Sequence, residues 1–411
     1  RAGGLFEVQR GALISQDLVD EARGSADADG ALTENVVHPF TGWSRRPNVA
    51  RDLPGPISEW TRRNRNPNVF GFRNELADYR DLSPSDFTIG VFGGSLGSQL
   101  VLRAGGTLIA EIEEQLPDLR GRVRILTFTL GGYKQPQQLT LLSQMIVLGV
   151  PLDVVVNIDG FNELALGSSD ALKGHHPIFP SRNHWSGALK LRAHELSRDE
   201  ILKTAEIERA RRRSQAVKDF AKSHPLGRLA AGRAVLGTVA LRARWRASEM
   251  ESELQSRVAS ELAPTTAQLS DPCLGQDGAC WDLIADLWQR SSLAMDALAR
   301  SVGADYVHIL QPNQYVEDSK PLSRDELESK YYPERAWSRA AARGYPYLQA
   351  RGAELRRGGT AFIDLTSVFK DEPRTVYNDS CCHLNSLGCE IVAKATAAAI
   401  LEAIGPSTPT P

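Results

Sequence analysis

Residues 87–100 read FTIGVFGGSLGSQL, and the organisation of the chain follows from how that stretch divides. FTIGVF (87–92) is a short apolar, β-branched run bounded by turn residues, as expected of a strand buried on both faces. Gly93 and Gly94 allow a sharp turn, and apolar residues then recur with helical spacing through SQLVLRAGGTLIAEIEEQL (98–116). A strand, a glycine turn and a helix make the first half of a βαβ unit.

The same alternation recurs on the C-terminal side. RVRILTFT (122–129), DVVVNI (153–158), DYVHIL (305–310) and TAFIDL (360–365) read as strands. PQQLTLLSQMIVLG (136–149), WDLIADLWQRSSLAMDALARSVG (281–303) and LGCEIVAKATAAAILEAI (387–404) read as helices. Alternating strands and helices predict an α/β fold: a five-stranded parallel sheet between two helical layers, a flavodoxin-like three-layer sandwich. Ligands of such a sheet bind beyond the strand carboxyl ends.

Residues 86–163 and 273–405 are assigned to this α/β domain. The 164–272 segment is far longer than a crossover needs, and 190–262 within it is dense in Arg, Glu and Ala at helical spacing, as in LSRDEILKTAEIERARRRSQAVKDFAKS (196–223). It reads as an inserted helical subdomain that shapes the substrate cleft or covers it as a lid. Its charges form a solvated face, and RARRR (209–213) could also meet an anionic surface. Residues 1–85, with turn signals in HPFTGW, RRPNV and RNPNVFGFRN, read as a loop-rich lead-in packed on the core, and 406–411 as a tail.

The 48 Lys and Arg among the 411 residues nearly balance the 50 Asp and Glu, for a net charge of −2. That gives no electrostatic footprint for nucleic acid. No run of 18 apolar residues spans a bilayer. The chain starts at Arg1 without a methionine, which suggests an upstream signal or anchor segment and hence a periplasmic or secreted protein. Cys273 and Cys280 bracket LGQDGA; a disulfide there would fit an oxidising compartment, and two free thiols would fit the cytosol. Their spacing lacks the C-x₂₋₄-C form of zinc sites.

The strand ends carry the chemistry. Ser95 follows the Gly93-Gly94 turn at the mouth of a helix, where its oxygen is exposed and nearby N–H groups can receive developing negative charge. A serine after a glycine turn is also a common helix cap. TLGGYKQPQQ (129–138) places Gly132 at the second strand end, able to present its N–H to an oxyanion or simply to make a turn. NIDGFNEL (157–164) places Asn162 outside the third, with an amide that can donate, while Asp159 and Glu163 are read as ordering the loop. VYNDSCCHLNSLGCEIVA (376–393) sets His383 on a loop entering the last helix, with Asp379 four residues earlier to hold the ring. Four separate segments thus bring a nucleophile, two oxyanion donors and an acid–base pair to one sheet edge.

These segments resemble the sequence blocks of the SGNH/GDSL hydrolase superfamily. GGSL is similar to its nucleophile block, GGY supplies the second-block glycine, GFNE resembles G-x-N-D with Gly160 and Asn162 in place, and DSCCHLN resembles the block carrying Asp and His. The resemblance covers roughly 85–165 and 305–400. It implies Ser95 as nucleophile, His383 as base and an oxyanion hole from the Ser95 N–H, the Gly132 N–H and the Asn162 side chain. Three positions depart from it. The family's Asp precedes His by three residues, but 380 is Ser, which leaves Asp379; Glu163 replaces the third-block Asp; and Gly94 stands where the family name has Asp.

Gly93–Gly97 also satisfies G-x-S-x-G, but in α/β-hydrolases the acid sits on its own strand-end loop, far from the histidine. The expected activity is therefore serine-dependent hydrolysis of a carboxylic ester of a glycan or lipid through an acyl-enzyme. No metal or organic cofactor is implied, and no G-x-G-x-x-G or P-loop pattern is present. The expected partners are such a substrate and a membrane surface. The alternatives are O-acyl transfer to a cell-envelope polysaccharide and a non-catalytic binding module on the same fold.

Overall fold

The computed structural model describes residues 35–49, 57–182, 184–185, 198–225, 229–266 and 278–405. Cys273, and with it the bridge expected to Cys280, lies outside the described residues, as do 1–34 and 406–411. By internal contacts the chain divides into two units, Arg1–Trp185 with Ser270–Pro411, and Ser186–Leu269.

In the first unit the described chain opens with an antiparallel hairpin, β1 (Asn35–His38) and β2 (Gly42–Arg45), and a short helix α1 (Glu59–Asn64). The main sheet follows: β3 (Phe87–Gly93), β4 (Val123–Thr129), β5 (Val154–Asp159), β6 (Asp305–Leu310) and β7 (Ala361–Asp364). Its strands are all parallel, in the order β4-β3-β5-β6-β7. This is the flavodoxin-like order, so every strand ends at the same edge and the chain reverses direction around β3, between β4 and β5.

Helices cover both faces. α2 (Ser95–Gln115) and α10 (Ser386–Ile404) pack together over a core that includes Ile89, Val91, Leu100, Leu108, Val392 and Ile400. α3 (Gln137–Val147), α4 (Phe161–Ala171), α7 (Gly278–Ser301) and α9 (Ala336–Arg357) form the other layer, where Leu164, Trp288, Tyr345, Leu348 and Phe362 are buried together. A short helix α8 (Arg324–Ser329) lies between β6 and α9. The five strands coincide with the five apolar runs because burial on both faces leaves no polar alternation. The sequence pattern does not predict α4 or α9. Both carry internal glycines, and α9 also holds Pro346, signals that ordinarily mark loops.

The segment before β3 is tied to the sheet edge by side chains. Gln137 Nε2 donates to Thr41 O at 2.6 Å, Tyr133 Oη to Trp43 O at 2.6 Å, and Tyr79 Oη to Thr127 O at 3.0 Å. Trp60 of α1 donates to Val101 O on α2 at 2.7 Å, and a Cβ at Gly105 would meet its ring at 2.5 Å.

The described residues of the second unit form two helices, α5 (Arg198–Ser223) and α6 (Ala230–Thr266). Ile207 and Ala247 are buried in their seam beside Ala210 and Met250, and Ser214 Oγ donates to Ala240 O at 2.9 Å. As one position rises along α5 its partner falls along α6, so the pair is an antiparallel helical hairpin. No described helix is long and apolar enough to cross a membrane.

Candidate active site

Gly93, the last residue of β3, has φ 153°, and a Cβ there would sit 2.3 Å from the Ile158 carbonyl oxygen of β5. Only glycine lets β3 turn this close to its neighbour. The turn delivers Ser95 to the first position of α2, with Gly94 as the residue before the helix.

The last loop is closed by a backbone bridge between Tyr377 and Leu384 and by Asn378 N donating to His383 O at 2.7 Å. Within it, Asp379 Oδ1 accepts from the amides of Cys381, Cys382 and His383 at 2.9, 3.3 and 3.3 Å. Its other oxygen, Oδ2, lies 2.5 Å from His383 Nδ1, and His383 Nε2 lies 2.8 Å from Ser95 Oγ. Ser95, His383 and Asp379, chosen from segments 288 residues apart, therefore form one continuous hydrogen-bonded line. Burial disfavours the charged Asp379 carboxylate, yet the hydrogen bonds from the His383 ring and the loop amides outweigh it and hold its pKa below the usual value.

Between Asp379 and His383, Ser380 is held by three donors. Its carbonyl accepts from Tyr315 Oη at 2.7 Å and Trp337 Nε1 at 3.2 Å, and its hydroxyl from Arg335 Nη1 at 2.7 Å. Gln314 Nε2 holds the Asp379 carbonyl at 3.0 Å, and Gln99, one turn beyond Ser95, accepts from Leu384 N at 3.2 Å. These supports carried no sequence signal, because isolated Gln, Tyr and Arg residues in loops and helices have no diagnostic spacing.

On the opposite side of Ser95, a Cβ at Gly131 would come 3.9 Å from the Ser95 Cβ, so the loop after β4 runs past the serine. Gly132 follows with φ 81°, and the place of its missing Cβ is filled by the His184 ring at 2.5 Å. That ring stacks on Trp43 at 5.0 Å, and burial pushes its pKa down to about 4. Asn162 Nδ2 donates to Tyr133 O at 2.8 Å and would lie 2.3 Å from a Cβ at Gly94. An amide carries two N–H donors, so a second one remains for a ligand beside Ser95.

Glu163 ties these two loops together, accepting from Gln135 N and from Gly160 N, each at 2.8 Å. Burial, reinforced by Asp159, pushes its pKa up to about 8. Asp159 in turn accepts from Trp288 Nε1 at 2.6 Å, Asn157 Nδ2 at 2.7 Å and Gln135 Nε2 at 3.2 Å, and lies 2.9 Å from His308 Nε2. The side chain of Lys134 anchors the 177–179 segment through the carbonyls of Pro177 and Phe179, and burial lowers its pKa to about 8.

Beside the histidine, the Cys381 and Cys382 sulfurs are 3.4 Å apart and unbridged. They and His383 place potential metal-ligand atoms within 4.8 Å of one another. The Cys382 hydrogen bond and burial push the pKa of the Cys381 thiol well up.

Chemically, the arrangement can deprotonate a serine during attack, since the imidazole nitrogen facing Oγ is an acceptor when Nδ1–H donates to Asp379. No family model and no curated protein matches the chain. Among solved structures, the crystal structure of an acetyl xylan esterase aligns over 77% of this chain and 100% of its own, with 13% identity and a TM-score of 0.35.

Proposed function

We propose that the protein is a serine-dependent carboxylic ester hydrolase of the SGNH/GDSL type that works through an acyl-enzyme. The observation that carries the reading is the line Ser95 Oγ–His383 Nε2–His383 Nδ1–Asp379 Oδ2, at 2.8 and 2.5 Å, at the carboxyl edge of a parallel sheet.

Ser95 Oγ attacks the ester carbonyl while its proton passes to His383 Nε2. Asp379 holds the ring in the tautomer that accepts at Nε2 and stabilises the imidazolium that forms. The carbonyl oxygen becomes an oxyanion received by the Ser95 N–H, the Gly132 N–H and the remaining Asn162 N–H. Collapse expels the alcohol, which takes the proton from His383. A water then repeats the sequence on the acyl-Ser95 ester, releasing the carboxylic acid and restoring the serine. The substrate class is an ester of a glycan or lipid.

Turnover of p-nitrophenyl acetate and of longer p-nitrophenyl esters tests the proposal. Ser95→Ala is expected to lower kcat by roughly 10³-fold or more without altering the fold. Equal turnover, or equal inactivity, of the two proteins across the ester series would overturn the hydrolase reading.

A further inference from the structure

The helical hairpin of the second unit concentrates charge that the rest of the chain does not have. Between Arg209 and Arg246 lie eleven Lys and Arg residues and a single acid, Asp219, in a chain whose net charge is −2. The Ser214–Ala240 hydrogen bond and the Ile207–Ala247 seam fix the register of the two helices. In that register Arg209 and Arg213 stand at the same height as Arg242 and Arg246, and all four are exposed. They form a cationic belt across both helices.

Apolar side chains are set into the same region rather than buried in the seam. Trp245, next to Arg246 along α6, stands at the height of the belt and is 62% exposed. Towards the turn, Val235 is 64% exposed, and Phe220, Leu229 and Val239 are exposed with it. Val235, Val239, Arg242 and Arg246 follow one another at helical i, i+4, i+7, i+11 spacing, so cations and apolar groups share a face of α6. Leaving a tryptophan, a phenylalanine, a leucine and two valines in water is unfavourable for a surface that meets only solvent.

We propose that this hairpin is a docking surface for an anionic lipid bilayer. Arginines reach lipid phosphates with their guanidinium groups while their stems lie along apolar surface. Tryptophan favours the boundary between headgroups and hydrocarbon, where its ring is apolar and its N–H stays wet. A basic, amphipathic helical element with Trp, Phe, Leu and Val among the arginines therefore fits the plane of that boundary. A soluble polyanion, such as a nucleic acid or a sulfated glycan, would satisfy the arginines but give the apolar side chains nothing to enter. The proposal is independent of the ester chemistry.

The test is flotation of the full chain with vesicles of phosphatidylcholine alone or with one-third phosphatidylglycerol. Binding to the anionic vesicles should be stronger by roughly tenfold or more and should weaken at high salt. Brominated lipid should quench tryptophan fluorescence, and Trp245→Phe should remove part of that quenching. Arg242→Glu with Arg246→Glu, and separately Phe220→Ala with Trp245→Ala, should each reduce vesicle binding by roughly tenfold, with helix content by circular dichroism unchanged. Equal partition to neutral and anionic vesicles, or no partition, overturns the proposal. So does binding lost with the arginines, untouched by Phe220→Ala with Trp245→Ala, and matched by binding to dextran sulfate, which would mark a general polyanion site. If a variant loses helix, the salt dependence and lipid quenching of the unaltered chain still decide.

Discussion

Asp379 reaches His383 with one residue more between them than the resemblance implies, and the loop shows how. One carboxylate oxygen is cupped by three consecutive amides while the other meets the ring. Asp379→Asn keeps the shape of the side chain but offers an amide where Nδ1–H needs an acceptor. Its kcat on p-nitrophenyl acetate should fall by roughly 10²-fold or more, whereas a merely structural Asp379 would leave kcat within tenfold. Gly94 is constrained from the other side, because a methyl group there would overlap the Asn162 amide at 2.3 Å. Gly94→Ala should therefore displace the donor and cut kcat by roughly 10²-fold, with KM and melting temperature little changed. Full activity in the Gly94→Ala enzyme would remove Asn162 from the mechanism. Of the residues brought together here, Gln99, Gln314, Tyr315 and Arg335 had no diagnostic spacing, whereas Ser95, Asn162, Asp379 and His383 were legible in the sequence, since each sits beside a glycine turn or an acid at a strand end. His184 was not, because a histidine that fills the missing Cβ of Gly132 from a distant segment leaves no local pattern.

Among the elements, the two loops beside Ser95 hang on Glu163, and this makes stability depend on pH. The unfolded carboxyl releases its proton near 4.5, whereas the native one holds it to about 8. Between those values the native state binds more protons than the unfolded state, so stability falls as pH rises across the window. Urea midpoints measured at intervals across it should decline, and Glu163→Gln, uncharged throughout, should flatten the trend. That variant also turns an NH₂ towards a backbone N–H and should be less stable by about 1–3 kcal/mol where Glu163 is protonated. A slope unchanged by the substitution would assign it to other groups. The strands were readable because parallel strands covered on both sides are uninterrupted apolar runs. α9 was not readable, for a packing reason. A Cβ at Gly344 would lie 2.3 Å from Leu164, and one at Gly352 would lie 2.1 Å from Phe362. The glycines that suggest a loop are what let the helix approach α4 and β7.

At the scale of the molecule, the two units are held by different amounts of core. Among the described residues, the sheet unit buries extensive apolar clusters on both sides of its strands, whereas the apolar side chains buried in the helical hairpin are Ile207, Ala240 and Ala247. Limited proteolysis should therefore cut first within 186–269, leaving fragments that carry β3 and α10 associated, as the fading of the intact band and mass spectrometry of its products would show. Initial cleavage between β3 and β5 would reverse that order. Length and charge set 164–272 apart in the sequence, but the exposed apolar residues among its arginines needed the register of the two helices to be seen. The distance along the chain between Ser95 and His383 has a consequence of its own. Ribosomes add roughly 5–20 residues per second, so the chain from Ser95 to His383, 288 positions further on, takes roughly 15–60 s to make. Under the proposed mechanism the nascent chain bears Ser95 throughout that interval without the base that would activate it, and acyl transfer has to wait for the segment just before α10.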